Sequence, residues 1–105
     1  MTSIRLTRPT LEVIKVLLAS TSNDPAWGLK ICQEAELGSG TVYPILDRLE
    51  KQGLVAGSVE SDPHPGRPAR RFYELTGAGR TWASSALAER AARYGRRPGL
   101  AGGGT

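Results

Sequence analysis

The sequence predicts a mainly α fold with a two-stranded β-wing: a winged helix-turn-helix followed by one C-terminal helix. Three observations carry this. Residues 39–51 read as a helix with one apolar face, stopped by Gly53 and running straight into Leu54-Val55. A polar hairpin follows, with Arg67, Arg70 and Arg71 at its base. Upstream, the turn Leu37-Gly38-Ser39-Gly40 joins this helix to another, the order of a helix-turn-helix.

Each element has its own local reason. Residues 1–6 read as a loose arm. Thr7 caps a first helix, with Pro9 tolerated in its first turn. Leu11, Ile14 and Leu18 recur at helical spacing, and Val13 and Leu17 widen the stripe, so this helix is expected to be buried on more than one side. A second helix is expected over residues 25–35, opened by Pro25 and capped by Asp24, with Trp27, Ile31 and Ala35 on one face. Gly28 weakens it by roughly 1 kcal/mol relative to alanine, which a close helix contact would account for. Ser39 is the expected cap of the third helix, and Pro44 predicts a slightly irregular first turn. Val42, Ile45, Leu46 and Leu49 form the buried face of that helix. Gly40, Pro44, Asp47 and Lys51 lie opposite, with Thr41, Tyr43 and Arg48 on the flanks. Gly53 ends it.

Val55 and Val59 share one face of a strand that Gly57 interrupts. Residues 61–67 are a turn-rich tip containing His64, read as a surface loop residue. Arg71, Tyr73 and Leu75 alternate with Phe72 and Glu74 in a second strand. Thr76 caps an alanine-rich helix over residues 77–94, which Gly95 stops. The glycine-rich segment 95–105 is expected to be disordered.

With 105 residues the chain supports one domain. No apolar run approaches the ~20 residues needed to span a membrane, and the N-terminus shows no secretory signal. The single cysteine, Cys32, reads as a small buried apolar residue and fits a reducing cytosol. The formal charge of +4 is compatible with nucleic acid. Yet residues 39–75 hold five basic and five acidic side chains, so the expected reading region is locally neutral. There is no Ser/His/Asp set, no His/Cys cluster at metal-ligand spacing, no phosphate loop and one histidine in all. The chain is therefore not expected to be an enzyme, and neither metal nor cofactor is expected.

The chain resembles the PadR family of bacterial transcriptional regulators. The resemblance rests on Ser39-Gly40-Thr41-Val42-Tyr43-Pro44, Leu46, Arg48-Leu49-Glu50, Gly53-Leu54-Val55, Gly66-Arg67-Pro68, Arg71-Phe72-Tyr73-Glu74-Leu75-Thr76 and Ala78-Gly79. It spans roughly residues 5–82, the stretch 40–44 together with the Gly-Arg-Pro wing making the specific combination. Lys30 departs from it where a glutamate is common, and Gly77 where an acidic or polar residue is usual. The resemblance implies a cytoplasmic, nucleoid-associated homodimer that represses promoters through a winged helix. It also implies release by a small molecule and a C-terminal dimerisation element. Here that element is one helix, as in the short-tailed branch. The expected organisation is a DNA-binding domain over residues 1–76, a dimerisation helix over 77–94 and a tail over 95–105.

The expected double-stranded DNA contacts are Ser39, Gly40, Thr41, Tyr43 and Pro44 at the helix start, where free N–H groups suit a phosphate. Arg48 and Lys51 are added from the same helix, and Arg67, Arg70 and Arg71 from the wing. For Arg48 and Lys51 the plain alternative is pairing along the helix with Asp47 and Glu50. Trp82 is the candidate effector contact, since flat aromatics stack on flat ligands. Ala83, Leu87, Ala91 and Tyr94 form a small-residue seam for a second copy. The competing reading is a winged-helix module for protein contact without DNA function, motivated by the local neutrality.

Overall fold

A computed structural model of the chain describes residues 6–21, 23–61 and 65–95, apart from the side chains of 93–95. Helix α1 spans Arg8–Ala19, strand β1 Ala26–Trp27, helix α2 Gly28–Ala35 and helix α3 Ser39–Lys51. Strands β2 (Val55–Val59) and β3 (Arg71–Leu75) lead to helix α4, Gly77–Gly95. The expected arm before Leu6, the His64 loop position, the Tyr94 side chain and the tail from residue 96 lie outside the described residues.

The cap of α1 is Thr7, whose Oγ1 accepts from the Thr10 amide at 3.3 Å. Leu11, Val13, Ile14, Val16 and Leu17 are all buried, so α1 is enclosed on several sides, as its near-continuous apolar stripe requires. It packs on α2, α3 and α4 and forms the centre of the core.

The sheet has three strands rather than the two expected. Its order is β1-β3-β2, antiparallel throughout, with Ala26 opposite Tyr73 and Trp27 opposite Phe72. The helix expected from residue 25 therefore begins three residues later, at Gly28, because Ala26 and Trp27 are extended and give their backbone to β3. Asp24 does not cap it; its carboxylate holds the Lys30 ammonium instead. Ala26 is fully buried, so the short strand is anchored from both sides.

Helix α2 ends at Glu36 in the left-handed region, φ 57°, with the Leu37 N–H reaching the Cys32 carbonyl at 3.0 Å. Helix α3 ends in the same way, and here glycine supplies the conformation: Gly53 has φ 75°. The Leu54 N–H donates to the Leu49 carbonyl and the Gly53 N–H to the Glu50 carbonyl, both at 3.0 Å, a Schellman closure that turns the chain straight into β2.

The start of α4 is tied to that turn. The Thr76 hydroxyl donates to the Gly53 carbonyl at 2.8 Å and accepts from the Gly79 N–H at 3.0 Å. Its own N–H donates to the Leu54 carbonyl at 3.0 Å. Gly79 packs so tightly there that a Cβ would overlap the Leu54 carbonyl oxygen.

Candidate nucleic-acid interface

Helix α3 divides into two faces. Val42, Ile45, Leu46 and Leu49 are buried at 0–7% exposure, the four positions the helical wheel selects. Ser39, Gly40, Thr41, Tyr43, Pro44, Arg48 and Lys51 are all exposed on the other side. Seven candidates thus share one solvent-facing helix surface, and they do so because the apolar stripe pins the opposite side to α1 and α2.

The first turn of α3 is bare. The N-cap is Gly38 rather than Ser39, and no side chain caps the helix. The Gly38 carbonyl accepts from the Thr41 and Val42 N–H groups at 3.0 Å. Among the described residues the Ser39 and Gly40 N–H groups find no acceptor, and the Ser39 hydroxyl is not consumed by capping. The expected cap fails by one residue because Gly38 already adopts the extended cap conformation, φ −77° and ψ 159°. Pro44 lies within α3, where it has no N–H to offer the Gly40 carbonyl.

Tyr43 stands at 44% exposure over α2. A Cβ at Gly28 would overlap its hydroxyl and lie 2.7 Å from Cζ, so Gly28 is the seat of the Tyr43 ring and the close contact is explained. Arg48 pairs with no carboxylate among the described residues. An open groove of about 550 Å³ runs between the start of α1 and α3, lined by Thr7, Pro9, Thr10, Thr41, Pro44 and Arg48.

The other candidate cations already have partners. Lys51 pairs with Asp47 one turn back at 3.0 Å. Arg71 on β3 reaches Glu50 at the end of α3, Nη2 to Oε2 at 2.8 Å. A Cβ at Gly57 would sit 2.6 Å from Arg71 Nη2 and 2.9 Å from Glu50 Oε2, so the bare backbone of β2 makes room for that pair. Arg67 binds Glu60 through both carboxylate oxygens at 2.9 and 3.2 Å, and the Arg70 N–H adds a third bond to Glu60 at 3.2 Å. These donors, Arg67 foremost and then the Arg70 amide, hold the Glu60 carboxyl at about 2, and the same bond pushes Arg67 up. The Arg70 guanidinium stacks on Trp27 of β1, 3.9 Å from the ring centroid. Burial raises the Tyr73 phenol, with Arg71 opposing.

Sequence reasoning missed Glu50, Glu60 and Trp27 as parts of this surface. The partners of Glu50 and Trp27 lie 21 and 43 residues away, beyond any helical or strand period, and Glu60 meets Arg67, 7 residues on, only across the hairpin turn. Nothing local marks such pairs, although a glycine inside a strand, Gly57, is a signal of close approach.

The C-terminal candidates separate. Ala83 is fully buried in the core of its own domain, which leaves no surface for a second copy at that position. Leu87 is half-buried and Ala91 exposed. Trp82 packs against the core and does not line the open groove of about 510 Å³ between α1 and α4. That groove is lined by Arg8, Leu11, Glu12, Lys15, Leu87, Arg90 and Ala91. Among the described residues no His, Cys, Asp and Glu cluster could hold a metal, and no helix is long and apolar enough to cross a membrane.

A three-helix core, a helix-turn-helix with an exposed second helix and a β-hairpin beside it define a winged-helix transcription regulator. The chain belongs to the transcriptional regulator PadR-like family, whose profile matches residues 17–85. A PadR-like transcription factor from Bacteroides fragilis is 28% identical with a TM-score of 0.61, over 83% of this chain and 85% of that one. A Streptococcus mutans protein at 24% identity shares the fold, with a TM-score of 0.69 over 97% and 95% of the two chains. NadR, solved in complex with 4-hydroxyphenylacetate, is 26% identical with a TM-score of 0.65, over 84% of this chain and 57% of NadR. No curated protein matches the chain in sequence. The protein is thus a DNA-binding transcriptional regulator of a family of regulators, not of enzymes.

Proposed function

We propose that the protein is a homodimeric repressor whose α3 enters the major groove of an operator. The observation that carries this is the uncapped first turn of α3 beside an exposed polar face. The Ser39 and Gly40 amides and the Ser39 and Thr41 hydroxyls address phosphate or base edges. Tyr43 and Pro44 pack against the groove wall, and Arg48 supplies an uncommitted guanidinium. Arg70 and Arg71 flank the wing near the phosphates, Lys51 stands at the far end of the helix, and Arg67 shapes the wing through Glu60. Two copies would present their α3 helices to half-sites on the order of 34 Å apart.

Residues 1–76 form the DNA-binding unit in this reading, and 77–94 the dimerisation helix. Leu87 and Ala91 keep surface for a second copy. A small aromatic carboxylate as releasing effector is supported by the NadR complex, and the α1/α4 groove offers Arg8 for a carboxylate beside Leu11 and Leu87, Lys15 being paired there with Glu12 at 3.4 Å. The protein acts in the cytoplasm of a bacterial cell, on its nucleoid.

Mobility shift on the DNA upstream of its own gene, with unrelated duplex as competitor, tests this reading. A specific shift that weakens with salt is expected. No shift with any duplex at low salt would move the assignment to a protein-contact module.

A further inference from the structure

Glu50 faces the reading surface but contributes a negative charge to it. Tyr43, Asp47 and Glu50 fall at i, i+4 and i+7 of α3, one helical stripe. Arg71, Tyr43 and Glu50 all act electrostatically on the buried Tyr73 phenol, so the four groups are close neighbours. The Glu50–Arg71 pair is half open to water, with side-chain exposures of 33% and 46%. A pair so exposed contributes little to stability. Yet it is accommodated by a glycine at position 57, where any Cβ would collide with both partners.

Resting on the DNA-binding reading above, we propose that Glu50 is a specificity-determining residue that acts as an internal counter-ion for Arg71. It withholds Arg71 from phosphates of unrelated DNA and yields it only at the operator. A cation that arrives already neutralised has no condensed counter-ion to displace from DNA unless its carboxylate lets go. On unrelated duplex nothing compensates that exchange, and Arg71 stays on Glu50. At the operator, base contacts by the first turn of α3 fix the register and bring a phosphate to Arg71. The local neutrality of the reading region is then a device that lowers indiscriminate affinity. Lys51 with Asp47 follows the same plan within one helix, whereas Arg48 lacks a carboxylate and supplies the constant part of the attraction.

The test measures affinity of the full chain for an operator and for unrelated duplex across a salt series, with Glu50→Gln, Arg71→Gln and the double variant. Thermal melts confirm folding. Glu50→Gln should steepen the salt slope on unrelated duplex by about 0.9 for each protomer engaged, one additional phosphate each, and raise affinity roughly fivefold to tenfold per protomer near 0.1 M salt. The operator should gain less, so the ratio of the two affinities falls. In the Arg71→Gln background the substitution at position 50 should have no such effect. An unchanged slope in Glu50→Gln would overturn the proposal. So would a gain that persists without Arg71, since Glu50 would then act by plain repulsion. Absence of any salt-sensitive duplex binding by the unsubstituted protein would instead sink the DNA reading itself, and this inference with it.

Discussion

Helix α3 and the hairpin beside it dispose of their polar groups in opposite ways. Among the described residues, the first turn of α3 leaves the Ser39 and Gly40 amides without acceptors, and its last turn carries Arg48 without a carboxylate partner. The hairpin's cations are all committed: Arg67 to Glu60 within it, Arg70 to Trp27 of β1 and Arg71 to Glu50 of α3. An uncommitted group is available to a ligand at no cost of breaking a bond, and a committed one holds a shape. In the proposed reading the helix is therefore the part that reads, and the wing first keeps its form.

The strongest challenge to this contrast removes the footing that both regions share. Gly79→Ala forces a methyl into the Leu54 carbonyl, a backbone atom that cannot swing aside. A loss of roughly 3 kcal/mol in chemical denaturation is expected, of the size seen for strain in a packed site. At Gly28 the obstructed atoms are instead the far end of a tyrosine. Gly28→Ala should displace that ring at modest cost in stability and, like Tyr43→Ala, weaken operator binding by about tenfold or more. Operator affinity unchanged from the unsubstituted protein in both variants would take Tyr43 out of the interface.

Arg48 and Arg67 sharpen the comparison further. Arg48→Ala should lower the salt slope by about 0.9 for each protomer engaged. Arg67→Ala should leave the slope unchanged while altering the shape of the wing, because its guanidinium is already spent on Glu60. The smallest expected effect is that of acid. Glu60 sits at about 2 against its ordinary 4.5. Its contribution to wing order is complete above 4.5 and is lost as pH falls from there through about 2. The Arg70 amide resonance should report that transition, and Glu60→Gln should abolish it.

Much of this architecture is legible in the sequence, for identifiable reasons. The wheel that places Val42, Ile45, Leu46 and Leu49 inside needs only a 3.6-residue period, and the burial of all four follows it. Thr7, Gly53 and Thr76 act within a few residues of themselves, so the caps and the stop are local matters. Strand β1 is not local. Two residues cannot display an alternation, and Pro25 suggests a helix start until β3, over 40 residues on, pairs with Ala26 and Trp27. The exposed face of α3 follows from the wheel as well. What no period reveals is which cations on that surface are already occupied, since Glu50 and Arg71 meet only once the hairpin has folded back across Gly57.

The Thr76 hydroxyl, bonded on one side to Gly53 and on the other to Gly79, makes a joint. It fastens the last turn of α3 to the first turn of a helix of 19 residues. Such a helix is a lever about 28 Å long. Tilting it by about 5° together with that joint would carry its far end through roughly 2.5 Å, so in the proposed reading leverage at the distal end of α4 becomes a fine angular adjustment of α3.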